Sequence, residues 1–138
     1  MLITLLLPLG CLAQVEKSKI NKNNADTIST ASGLKYIILK KGNGKITQAG
    51  HEVFIYETAS YLSGKVLYTN EGSNRPIKVK LGAHQATDGE DEGLTGMRVG
   101  EVRKLIIPNY LCKRSGYPPN VSPDSAITVK VILDKILD

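Results

Sequence analysis

Apolar and polar residues alternate along most of the chain beyond residue 33, and this two-residue period predicts β-strands with one face turned to a core. Ile77, Val79 and Leu81 share one face against Lys78 and Lys80, and Ile127, Val129, Val131 and Leu133 do the same within Ala126 to Leu137. Leu34 to Lys40 is β-rich and ends at the turn signal Gly42-Asn43-Gly44, while Val53 to Thr58 follows Ala49-Gly50. Tyr61 to Tyr68 is broken at Ser63-Gly64, which suits a hairpin tip. Arg103 to Ile107, closed by Pro108, predicts a further strand. A helix is predicted only over Thr87 to Gly96. Thr87 and Glu90 have the Thr-x-x-Glu spacing of a capping box, and Asp88, Asp91 and Glu92 place negative charge where the helix dipole favours it. Asn109 to Asp124, with three prolines and one glycine, reads as an extended loop. Alternating strands, one short helix and Gly/Pro punctuation together predict an α+β domain on an antiparallel sheet, with no repeat and no second domain.

The two ends of the chain follow different patterns. Met1 to Ala13 is uncharged and apolar apart from Thr4, then gives way to Gln14 and the Lys-rich run Glu16 to Lys22. Such a block reads as an export signal, and it is shorter than the roughly 20 apolar residues of a membrane span. Two processing routes fit it. Cys11-Leu12-Ala13 before Gln14 offers small residues to a signal peptidase, whereas Leu7-Pro8-Leu9-Gly10-Cys11 resembles a bacterial lipobox with Cys11 as the lipidated residue. Residues 14–32 read as a flexible polar spacer and residues 33–138 as the folded domain.

With 138 residues there is room for one domain with a modest core. On either processing route Cys112 is left as the sole cysteine, so no intrachain disulfide forms; it reads as a thiol without a catalytic role. The formal charge of +5 is scattered over the spacer and several strand ends. With one Phe, no Trp and dispersed Tyr, the chain lacks the basic stripe and stacking aromatics of a nucleic-acid binder. His51 and His84 stand at no metal-ligand spacing, and the acidic residues from Asp88 to Glu92 read as a helix start and not as a calcium loop. Neither metal nor cofactor is expected.

From about Ser32 onward, the order of elements resembles the FKBP-type peptidyl-prolyl cis-trans isomerases. The resemblance rests on Ser32-Gly33-Leu34-Lys35-Tyr36, Gly42-Asn43-Gly44, Gly64-Lys65 and Arg75-Pro76-Ile77-Lys78-Val79-Lys80-Leu81-Gly82. The run from Asp91 to Gly100 and the tail from Pro123 to Leu133 complete it. Each motif is weak alone, but their joint order is specific. It implies a twisted antiparallel sheet wrapped around one short α-helix, with an apolar pocket between them. It also implies catalysis of Xaa-Pro rotation in proline-containing or unfolded polypeptides, which needs neither nucleophile nor cofactor.

Carried over by position, the family's pocket changes character in this sequence. The tyrosine of the second strand falls at Glu57, and the phenylalanine and aspartate after the hairpin fall at Leu67 and Tyr68. Val79 and Val129 stand on the next and last strands. The pair at the helix entry becomes Ala86 and Thr87, the aromatic floor becomes Glu90, and Val121 is the close match in the loop. Leu67, Val79, Val121 and Val129 fit plain core as well as pocket lining. Two carboxylates, Glu57 and Glu90, aimed at an apolar pocket would carry a severe desolvation cost unless hydrated or paired. If Glu90 reaches back to the Thr87 backbone N–H, it also occupies the donor that the family offers to a substrate carbonyl. The expectation is an exported isomerase domain, periplasmic or tethered to a membrane by lipid, whose activity is weak or lost. The alternative is a non-catalytic polypeptide-binding or chaperone module of the same fold.

Overall fold

The two longest alternating runs in the described sequence become neighbouring strands. In the computed structural model, which describes residues 26–112, 122 and 124–137, Glu52–Tyr61 (β3) pairs antiparallel with Ile127–Leu137 (β7). The pairing runs from Glu52 opposite Leu137 to Tyr61 opposite Ile127. Phe54 faces Lys135 and Ile55 faces Leu133, so Asp134 is the extra residue of a bulge. Around this pair the sheet orders Ile28–Ser29 (β1), Lys35–Lys40 (β2), Val102–Ile107 (β6), β7, β3 and Val66–Thr69 (β4). Ile77–Lys80 (β5) pairs separately with β3, and every pairing is antiparallel.

Alternation decides which side chains face inward. Val53, Ile55, Leu105, Val131 and Leu133 are completely buried, and such aliphatic side chains contribute roughly 1.5–3 kcal/mol each when removed from water. The helix Asp88–Leu94 (α1) packs against β6 on this side of the sheet. It comes close because Gly89 and Gly93, one turn apart, face the strand. A Cβ at Gly93 would stand 2.6 Å from Leu105 Cδ1, and one at Gly89 would overlap Ile107 Cγ2. Thr87 is the N-cap, its side chain accepting from Glu90 N, and Thr95 closes the other end by donating to Asp91 O and Glu92 O.

The far end of α1 is tied to the sheet by charge. Arg103 and Glu101 form an ion pair at 2.6 Å with side chains only 6% and 7% exposed. Arg103 also donates to Gly93 O at 3.2 Å and stacks 4.3 Å above the Tyr36 ring. Each of its three guanidinium nitrogens has a partner inside the fold.

The predicted strands and helix all form, with ends shifted by a few residues. The hairpin tip lies at Ser63-Gly64 as expected, with Gly64 in the left-handed region at φ 95° and Tyr61 N donating to Lys65 O at 2.9 Å. Two short elements differ from the sequence reading. Within the stretch read as a spacer, Ile28 and Ser29 pair with Tyr36 and Lys35. At the start of the stretch read as an extended loop, Asn109–Leu111 makes a 3-10 turn. Tyr110 in that turn donates to Ser32 O at 2.7 Å, closing the helical turn onto the segment that leads into β2. The polar residues before β2 are thus held by specific bonds that composition does not announce.

Candidate functional site

β3 alternates through Val53, Ile55, Glu57, Ala59 and Tyr61 on the face that carries α1, and burial falls along the series. Val53 and Ile55 are fully buried, whereas Glu57, Ala59 and Tyr61 are half-buried. The concave side is therefore filled at one end of β3 and open toward the other. Ala59 and Tyr61, with Leu67 of β4 and Ile77 of β5, pack at the margin of the core there. A register shift between Ala59 and Ser60 marks the β3–β4 pairing next to Leu67. Leu67 reaches the core while Tyr68, opposite Ala59, stays 46% exposed.

The helix supplies the opposite wall. Glu92 Oε2 accepts from Ser32 Oγ at 2.7 Å, just before β2. At about 100° per residue, Glu92 and Glu90 project on opposite sides of the Gly89–Gly93 stripe that touches β6. Glu92 faces the β2 side, so Glu90 faces the β7 and β3 side, where it is 8% exposed. Ala86 and Thr87 enter the helix above it, both buried, and Thr87 Oγ1 accepts from Glu90 N at 3.2 Å. This bond is one half of the reciprocal cap that the sequence spacing predicts.

Glu57 is held firmly. Its N–H donates to Asn70 Oδ1 at 2.7 Å, and its carbonyl accepts from Asn70 N at 3.2 Å. Asn70 Nδ2 also donates to Ile55 O and Arg75 O, fixing the β4–β5 connection against β3. The Glu57 carboxylate has no such support: Oε2 is shielded from solvent and has no hydrogen-bond partner among the described residues. Asp91 Oδ1 on α1 is in the same condition.

The sequence-assigned residues thus divide. Glu57 and Leu67 stand toward the half-buried end of the concave face, and Ala86, Thr87 and Glu90 are buried at the start of α1. Val79, opposite Val53, and Val129, opposite Ala59 and Leu105, belong to the buried core cluster. Val121 and Cys11 lie outside the described residues. Ala59, Tyr61 and Ile77 were missed, although stepping by two from Glu57 reaches the first two. Tyr61 Oη accepts from Ser122 N at 3.0 Å, which brings the segment before β7 to this rim. Cys112 is buried, its thiol donating to Ile107 O and Pro108 O, as suits a structural role. Among the described residues no group of three potential metal ligands occurs, and no helix is long and apolar enough to cross a membrane.

A short helix laid on an antiparallel sheet is the arrangement that the sequence motifs implied. Residues 44–134 match the family of FKBP-type peptidyl-prolyl cis-trans isomerases. The chain belongs to this family. It is 31% identical over 102 residues to FK506-binding protein 1 of Dictyostelium discoideum, covering 73% of this chain and 95% of that protein. It is 31% identical over 134 residues to the chloroplastic peptidyl-prolyl isomerase FKBP16-3 of Arabidopsis thaliana, covering 94% of this chain and 59% of the relative. Against the isomerase Mip of Chlamydia muridarum it is 36% identical over 113 residues, which cover 79% of this chain and 46% of Mip. The crystal structure of FkpA from Escherichia coli superposes with a TM-score of 0.71 over 83% of this chain and 54% of FkpA, at 22% identity. That likeness establishes the FKBP-like twisted antiparallel sheet around one short helix. The chain spans about half the length of several of these relatives, and nearly all of one.

Proposed function

We propose that this FKBP domain binds proline-containing segments of exported polypeptides at the open end of the concave face, and that its isomerase turnover is weak. The observation that supports this is the pair of carboxylates, Glu57 and Glu90, set among the apolar side chains of the recess. Rotation about an Xaa-Pro bond passes through a twisted amide that has lost its resonance. The planar ground state is the more polar of the two, so water and charge stabilise it, and a dry pocket favours the twisted form. Carboxylates place negative charge in the site, which favours the more polar planar amide and works against that selection. The Thr87 cap places an ordered helix start beside the recess, and Glu90 competes there for the backbone donors that would hold a substrate carbonyl.

The apolar leader Met1 to Ala13 supports export, by signal peptidase cleavage or by lipidation at Cys11. The second reading, a polypeptide-holding module without turnover, is favoured by the same carboxylates. A protease-free isomerisation assay on an Xaa-Pro peptide, run beside a refolding-protection assay, separates the two. Weak turnover that rises in Glu90→Trp supports the isomerase reading. Protection of an unfolded client with no turnover in either protein supports the holding module. Failure in both assays removes the proposal.

A further inference from the structure

Glu57 stands in a cross-strand row with Val131 and Arg103 on the face that carries α1. Arg103 is the buried cation of that row, and it is already committed: Nε and Nη2 lie 2.6 Å from Glu101 Oε2, Nη1 donates to Gly93 O, and the guanidinium plane covers Tyr36. Val131, between the two, is completely buried and apolar. Glu57 therefore has no counter-ion within its row, and Oε2 is shielded from solvent with no hydrogen-bond donor among the described residues. A buried acceptor in this state is costly, and a cation that reaches it gains a charge-assisted bond.

We infer that Glu57 makes the recess selective for polypeptides that carry Lys or Arg next to proline. The inference rests on the reading that this recess takes proline-containing segments. A proline ring seated against Leu67, Ile77 and Tyr61 leaves the side chain of the adjacent residue beside β3, where a Lys ammonium or Arg guanidinium would pair with the half-buried Glu57 carboxylate as a side-chain rotation turns Oε2 out of its shielded position. Glu90, on the facing side of α1, adds negative charge to the same space. The chain as a whole carries a net charge of +5, so general electrostatics would attract acidic peptides instead. A preference for cations would have to come from the site.

The test uses three fluorescein-labelled peptides that differ only before proline: Ala-Lys-Pro-Phe, Ala-norleucine-Pro-Phe and Ala-Glu-Pro-Phe, titrated by fluorescence anisotropy with the wild-type protein. The Lys peptide is expected to bind about tenfold or more tightly than the norleucine peptide, the scale of one charge-assisted hydrogen bond. Glu57→Gln, nearly isosteric, should bring that ratio to about one, whereas Glu71→Gln on the opposite face of the sheet should keep it. Equal binding of Lys and norleucine peptides by the wild type overturns the inference and leaves the polypeptide-binding reading intact. A Lys preference that persists in Glu57→Gln overturns the assignment to Glu57. Absence of binding by all three peptides overturns both readings.

Discussion

Thr47 Oγ1 donates to the carbonyl oxygen of Leu94 at 2.6 Å and accepts from Met97 N at 3.1 Å, so one buried hydroxyl closes the C-terminal end of α1. Met97 N also reaches Leu94 O, but at 3.4 Å, so the hydroxyl is the closer partner of both backbone groups at this helix end. Thr47→Val keeps the volume and removes both bonds. Leaving Leu94 O and Met97 N with only their long mutual bond is expected to destabilise the fold by about 1 kcal/mol, read as a lower urea midpoint at unchanged slope.

The buried pair Arg103–Glu101 should behave asymmetrically. Arg103→Met leaves the Glu101 carboxylate buried without its partner and is expected to cost about 3–5 kcal/mol. In Arg103→Met/Glu101→Leu no charge remains, and equilibrium unfolding should recover most of that loss. Additive single-mutant losses would show that the two residues stabilise the fold independently.

Gly93→Ala drives a methyl group into Leu105, which is completely buried and has no room to yield. Ala is the better helix former by about 1 kcal/mol in an open setting, yet overpacking of this kind costs about 1–3 kcal/mol. The variant should be the less stable protein in thermal unfolding. Gly96→Ala is a useful contrast, since nothing lies within 4 Å of its added Cβ and only the left-handed φ of 86° opposes the change.

The outer face of the sheet supplies a pH dependence. Thr69 Oγ1 donates to Thr58 Oγ1 at 2.7 Å, Thr58 Oγ1 donates to Glu71 Oε2, and Lys130 Nζ reaches Glu71 Oε1 at 3.0 Å. The Thr58 hydrogen bond first, and then Lys130, hold the Glu71 carboxyl below its ordinary value of 4.5. A carboxyl depressed in the folded state contributes stability above its unfolded value, and that contribution disappears as pH falls through the lower, folded value. The difference in urea midpoint between wild type and Glu71→Gln should therefore be constant near neutral pH and shrink as pH drops below 4.5. A constant difference down to acid unfolding would show that the carboxylate charge is immaterial.

Period-two alternation was a reliable guide where one face of a strand is buried along its length, as in β5 and β7, because each misplaced residue would expose a Val or Ile to water. The helix was legible for a different reason. Its cap is local, and Thr87 and Glu90 announce it three residues apart. Ile28–Ser29 was illegible because two residues carry no period, and their pairing depends on Tyr36 and Lys35 beyond the intervening turn. Arg103 and Glu101 look like surface charges in a strand with charged neighbours, and only the carbonyl of Gly93 and the ring of Tyr36 explain why both can be buried. The places of Glu57 on β3 and Glu90 in the first turn of α1 follow from register. Ile77 and Val79 share one face of β5 and the sequence does not separate them, yet burial does: Val79 is 5% exposed inside the core cluster and Ile77 lies at its margin.

Because β1 and β4 occupy opposite ends of the strand order, the chain enters the domain at the border farthest from the hairpin that helps to frame the recess. Five inter-strand spacings of about 4.8 Å separate them, or about 24 Å along the twisted sheet. A pull applied at Asp26 would thus load β1 and β2 first and reach the β3–β4 hairpin last.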